Sequence, residues 1–194
     1  MSKNSKQPTG VIGLDAVIEG GYPSESVIVV IGSPLSGIDH IARQFWKVEE
    51  EGGSYLMIDS EVEEGMVDAR EMAPDTFPSY YKGKRIVVDS LSSVVLNFGI
   101  DAALRCLLTA RIEASREKNI IMFLLYNNIH KPDEENRIFR LADVVLELKI
   151  VTFVTEVERQ LAVHKLRKTN VPKRLIPFNI TDKGVELSTT SRVV

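Results

Sequence analysis

Apolar residues follow two textures along the chain. Continuous apolar, largely β-branched runs at 27–31, 55–58, 85–89, 120–125 and 143–148 read as strands buried on both faces. Between the first two runs, Ile38, Ile41, Ala42, Phe45, Trp46 and Val48 recur at helical spacing. Between the third and fourth, Ala103, Leu104, Leu107, Leu108 and Ile112 do the same within a helix expected over 100–118. The pattern also predicts a weak helix over 66–72 ending near Pro74, a connection over 76–84, a polar loop over 127–136 and a helical turn over 138–142. Strands alternating with helices imply a parallel sheet with right-handed crossovers. After residue 150, short strand-like runs at 153–157, 160–167, 175–180 and 185–187 follow one another without helices, as an antiparallel edge would. The expected fold is α/β: a central, mostly parallel twisted sheet flanked by helices, with antiparallel C-terminal edge strands. One domain is expected over 9–188, with a lead-in at 1–8 and a flexible tail at 189–194.

Composition narrows the function classes. Of 194 residues, 44% are hydrophobic and 26% charged, as in ordinary globular domains. No apolar run approaches the ~18 residues of a membrane span, and the polar start lacks the apolar stretch of a secretory signal. Cys106 is the only cysteine, which excludes an internal disulfide and reads as a buried thiol. A cytoplasmic location is expected. His40, His130 and His164 lie far apart and form no ligand motif, so no metal site is expected, and no Ser-His-Asp or Cys-His pattern is present.

The net charge of −3 argues against a general nucleic-acid coat. It hides an asymmetry: residues 49–71 hold nine acids and one base, whereas 159–174 hold six bases and no acid. Two solvated faces, or two segments that meet something charged, would both produce it.

The first strand-like run opens into Gly32, Ser33, Pro34, Leu35, Ser36 and Gly37, followed by Ile38 and Asp39. This is the glycine frame of a phosphate-binding loop, G-x-x-x-x-G, between a strand and a helix. A working loop continues with lysine, which contacts the terminal phosphates, and a hydroxyl that ligates Mg²⁺. Ile38 and Asp39 make the site two charge units more negative. A carboxylate ~4 Å from a phosphate charge costs about 4 kcal/mol at an effective dielectric of ~20. Ordinary Mg·ATP binding is therefore not expected. Asp39 reads as a first-turn acid satisfying free N–H groups, a built-in anion in place of phosphate, with Ile38 as an apolar plug. Asp39 as a metal ligand replacing threonine is the rival reading.

At these residues the sequence resembles the KaiC-like branch of the RecA superfamily of P-loop ATPases, with a degenerate Walker A motif. Thr9-Gly-Val-Ile-Gly-Leu-Asp15 resembles the family's opening segment and Gly20-Gly-Tyr-Pro23 its G-G-[IL]-P. Residues 85–92, Arg-Ile-Val-Val-Asp-Ser-Leu-Ser, resemble the Walker B strand. The resemblance implies a RecA-like fold, with Asp89 as the Mg²⁺-orienting carboxylate and Asn127 at the polar sensor position. Residues 164–169, His-Lys-Leu-Arg-Lys-Thr, resemble the family's K-[ML]-R segment, whose cations reach the nucleotide of a neighbouring subunit; these are Lys165 and Arg167 here. The family also carries a catalytic glutamate pair after the second strand. Asp59-Ser60-Glu61 sits there, with the register open by one residue. The span from Glu61 to Arg85 is short for the family, so an intervening element is expected to be missing.

Three functions follow as alternatives. The first is a non-catalytic pseudo-ATPase acting as a scaffold or regulatory partner, in a homo-oligomeric ring or filament or beside a paralogous ATPase. The second is a weak nucleotide-binding ATPase with unorthodox ligands. The third is a nucleic-acid accessory protein like the recombinase paralogues; the loop at 127–136 argues against it, because His130 and Lys131 are offset by Asp133, Glu134 and Glu135.

Overall fold

The structure is a computed structural model and describes residues 5–48, 52–154 and 156–188. Residues 1–4 of the expected lead-in at 1–8, the expected tail at 189–194 and the acids Glu49, Glu50 and Glu51 lie outside the described residues, whereas Lys6–Gln7 of the lead-in form a strand. A short antiparallel pair, β1 (Lys6–Gln7) and β2 (Tyr22–Pro23), brackets the one-turn helix α1 (Leu14–Val17). The main sheet then takes β3 (Ser26–Gly32), β4 (Ser54–Met57), β5 (Val67–Asp68), β6 (Arg85–Asp89), β7 (Ile120–Tyr126) and β8 (Val144–Thr152) in parallel. Strands β9 (Val157–Leu166), β10 (Ile176–Thr181) and β11 (Gly184–Leu187) extend it antiparallel. The order across the sheet is β5-β4-β6-β7-β3-β8-β9-β10-β11.

β3 lies at the centre, and its side chains divide between the two faces. Ile28 and Val30 join the core beneath α2 (Ile38–Trp46). Val27, Val29 and Ile31 join the core beneath α3 (Leu91–Phe98), α4 (Ile100–Glu117) and α5 (Pro132–Leu141). A strand buried on both sides has no polar face, which is why its sequence is continuously apolar. The result is three layers: α2, the sheet, and α3 to α5.

Three expectations are corrected. Residues 66–72 form no helix: β5 pairs with β4 at Leu56–Val67 and Met57–Asp68, and the free edge of β4 captures the backbone, with Ala69 N–H donating to Met57 O at 2.9 Å. Residues 153–157 are not a separate strand. β8 runs to Thr152, β9 starts at Val157, and Phe153 N–H donates to Glu156 O at 2.8 Å across the turn. The polar stretch at 127–136 is half helix, because α5 starts at Pro132. Proline suits that first position, and Glu134 accepts from Lys131 N–H at 3.1 Å. α3 had not been anticipated; Ser90 caps it, its hydroxyl accepting from Ser93 N–H at 3.4 Å.

Candidate functional site

The carboxyl ends of β3, β6 and β7 point the same way and form the crevice where open α/β sheets place their ligands. The 32–37 loop lies here and is held tight by its own contacts. Ser36 donates both its N–H (3.0 Å) and its hydroxyl (2.6 Å) to Ser33 O. A Cβ on Gly32 would fall 2.5 Å from Ser36 Oγ. Gly37 has φ +92°, and a Cβ there would fall 2.6 Å from Cδ1 of Ile180 on β10. Gly32 is held by close packing against Ser36 and Leu148, and Gly37 by its left-handed backbone. Pro34 and Leu35 are exposed at the tip.

Ile38 is 1% exposed and continues the apolar face of α2 formed by Ile41, Ala42 and Phe45. The residue at the lysine position therefore packs into the core. Asp39 sits in the first turn of α2, where an acid suits the helix dipole, but among the described residues its carboxylate accepts no N–H there. Its charge acts sideways, on Arg43 one turn along and on Asp89 and Tyr126 across the crevice.

Asp89 ends β6 and is buried. Tyr55 Oη donates to its Oδ2 at 2.7 Å, and Tyr126 Oη lies 3.4 Å from its Oδ1. Burial pushes the carboxyl up to about 6; the negative charges of Asp59 and Asp39 add to the rise, and the two tyrosine hydrogen bonds oppose it. Desolvation likewise raises both phenols, so they stay neutral donors.

Asp59 takes a structural position, accepting from the hydroxyls of Ser90 and Ser93 at the start of α3. Ser92 accepts from Tyr126 N–H at 2.8 Å and lies 2.8 Å from His130 Nε2. Asn127 N–H donates to Gly32 O at 3.1 Å, which ties the end of β7 to the 32–37 loop through the backbone. Ser60 and Glu61 are exposed. The tyrosines and the serines of α3 were not foreseen. The only signal was position, and it held for Tyr126, at the carboxyl end of β7, and for Ser90, just past β6; Tyr55, second of four residues in β4, gave none.

Lys165 and Arg167 stand at the other end of the sheet. Lys165 faces Val145 near the start of β8, whereas Gly32 pairs with Leu148 farther along. Lys165 Nζ donates to the carbonyls of Phe139 and Arg140 at 3.1 Å each, at the C-terminus of α5. Arg167 donates to Ser24 O (2.8 Å) and Glu25 O (3.2 Å) and lies 3.5 Å from Asp143. Lys165→Met is therefore expected to destabilise the chain by about 1 kcal/mol, seen as a lower urea midpoint at unchanged slope.

The family model described as the ATPase KaiC matches residues 76–192, more than half of the chain. The chain belongs to the KaiC family of ATPases. Curated relatives are UPF0273 proteins: one from Pyrococcus horikoshii is 24% identical over 225 aligned positions, covering 91% of each chain. Another from Thermotoga maritima is 22% identical, covering 91% of this chain and 93% of its own. The crystal structure of a KaiC-like protein from Pyrococcus horikoshii OT3 superposes with a TM-score of 0.82 at 18% identity, covering 96% of this chain and 100% of that one. The fold is thus the RecA-like fold of KaiC-like proteins.

Asp89, Asn127, Lys165 and Arg167 fall inside the KaiC match, while the 32–39 loop precedes it. The 225 aligned positions exceed the 194 residues present, so the UPF0273 relatives carry segments that this chain lacks. Between Glu61 and Arg85 the chain has only β5 and a 3-10 segment, Pro74–Tyr80. Among the described residues no cluster of His, Cys, Asp or Glu is arranged to hold a metal ion, and no helix is long and apolar enough to cross a membrane.

Proposed function

We propose that this KaiC-family domain does not hydrolyse ATP and serves as a scaffold or regulatory partner, in a homo-oligomeric assembly or beside a paralogous ATPase. The observation that carries the reading is the state of three positions ATP chemistry would use. The side chain at the lysine position, Ile38, is committed to the core. The hydroxyl position holds a carboxylate, Asp39. The Walker B-like carboxylate, Asp89, has tyrosine hydroxyls at both oxygens. Mg²⁺ binding at Asp89 would require an ionised carboxylate and displacement of those hydroxyls, with no lysine to offset the added phosphate charge.

The nucleic-acid reading gains nothing from the loop after β7. Its second half is the first turn of α5 and carries Asp133, Glu134 and Glu135. Phosphate affinity needs several cations close together.

The proposal is tested by single-turnover hydrolysis with excess protein and labelled Mg·ATP, the parent chain beside Asp89→Ala. Phosphate release should match buffer in both. Release by the parent that Asp89→Ala abolishes would refute the reading.

A further inference from the structure

Helix α2 carries a second row of side chains beside its core face. His40, Gln44 and Lys47 follow one another at helical spacing, with Arg43 adjacent. They form one wall of a groove of about 620 Å³, whose opposite wall is the β10–β11 turn with Asp182 and Lys183. No residue from 32 to 39 lines it.

The floor of this groove is built. The Gln44 amide donates to Gly10 O at 3.2 Å and Val185 O at 3.1 Å and accepts from Val185 N–H at 2.7 Å. Gly10 and Gly184 both have positive φ, and a Cβ on either would fall about 2.5–2.6 Å from Gln44 atoms. The two glycines let the N-terminal segment and the β10–β11 turn close onto one helix.

The walls are basic. Among the described residues, Arg43, Lys47 and Lys183 line the groove with His40 and one acid, Asp182. Arg43 already holds a carboxylate, since both oxygens of Glu63 accept from its Nη1. Lys47 and Lys183 make no salt bridge among the described residues. The run from His40 to Lys47 spans about 10 Å of helix, the length of about three extended residues. Among the described residues no aromatic side chain lines the groove, so a nucleobase would find no stacking platform.

We propose that this groove docks an acidic polypeptide segment of a partner protein, whose carboxylates meet Lys47 and Lys183 beside the Arg43–Glu63 pair. The inference does not depend on the phosphate loop being unable to bind nucleotide, because the two sites share no residue. Exposed charges of this kind set specificity and association rate, and salt weakens them.

The test is fluorescence anisotropy of a labelled oligoglutamate peptide of about ten residues titrated with the full chain at low and physiological salt. Saturable binding is expected, weakened by salt, with Kd raised at least tenfold in Lys47→Glu/Lys183→Glu. The matched reversal Lys82→Glu/Lys173→Glu, on exposed lysines outside the groove, should change Kd less than about twofold. If the groove reversal fails to fold, Lys47→Met/Lys183→Met replaces it, with the same direction expected. Absence of saturable binding at low salt, or equal loss in groove and control variants, would overturn the proposal. Tighter binding of a single-stranded oligonucleotide or of tripolyphosphate, lost in the groove variant, would also overturn it by assigning the groove to another class of anion.

Discussion

Replacing Ile38 by lysine and Asp39 by threonine is expected to lower the stability of the fold by about 2–4 kcal/mol and to create a stabilisation by Mg·ATP that the parent chain lacks. The loss comes from Ile38. It is 1% exposed and packs with Ile41, Ala42 and Phe45, so a lysine must leave a gap in that face and carry its ammonium out toward the loop. Ile38→Met, which keeps volume and polarity, should cost less than about 1.5 kcal/mol and separates packing from charge. The ATP effect comes from electrostatics: the double change adds two positive units beside a glycine frame that already has φ +92° at Gly37. Urea unfolding with and without Mg·ATP reads both effects, since a ligand that binds only the folded state raises its stability. A folded double variant indifferent to ATP would place the block in packing, with Ile180 against Gly37, exposed Leu35 at the tip and the tyrosines on Asp89 as its sources.

Asp89→Asn is expected to stabilise the chain above pH 6 and to do nothing near pH 4. The folded carboxyl is raised from 3.8 to about 6, chiefly by burial. The folded state therefore holds its proton to higher pH than the unfolded state. The stability this gives is complete below about 4 and is lost as pH rises through about 6. Above that, the fold carries a buried carboxylate at a cost of up to about 3 kcal/mol. Asparagine removes the charge and keeps an oxygen to accept from Tyr55, so a gain of about 1–3 kcal/mol is expected at pH 8. Urea midpoints at pH 4, 6 and 8 check this. A variant less stable than the parent at pH 8 would mean that the negative charge on Asp89 stabilises the fold, through a partner the geometry does not show.

The parallel strands were legible because burial on both faces leaves continuous apolar runs, as at Ser26–Gly32, and α2 was legible because its apolar stripe is one-sided. Short elements were not. Residues 66–72 read as a weak helix, but Val67 and Asp68 pair because β4 offers a free edge, which is a tertiary fact. Similarly, α3 is apolar enough to read as an extension of β6; only Ser90, as a cap, marks its start. At the site, the glycine frame and Asp89 could be read directly because spacing defines them. The tyrosines on Asp89 come from two strands far apart in sequence, and each alone looks like a core residue. The first-turn place of Asp39 was legible, but not that its carboxylate would take no N–H of α2, whose N-cap is Gly37.

The most direct test of the central claim is isothermal titration calorimetry of the parent chain with ATP, with and without Mg²⁺. The expected result is no saturable heat up to millimolar nucleotide, with or without the metal, because Ile38 and Asp39 remove the charges that hold a triphosphate and Asp89 is engaged by Tyr55 and Tyr126. Micromolar, Mg²⁺-dependent binding that disappears in Asp89→Ala would contradict it.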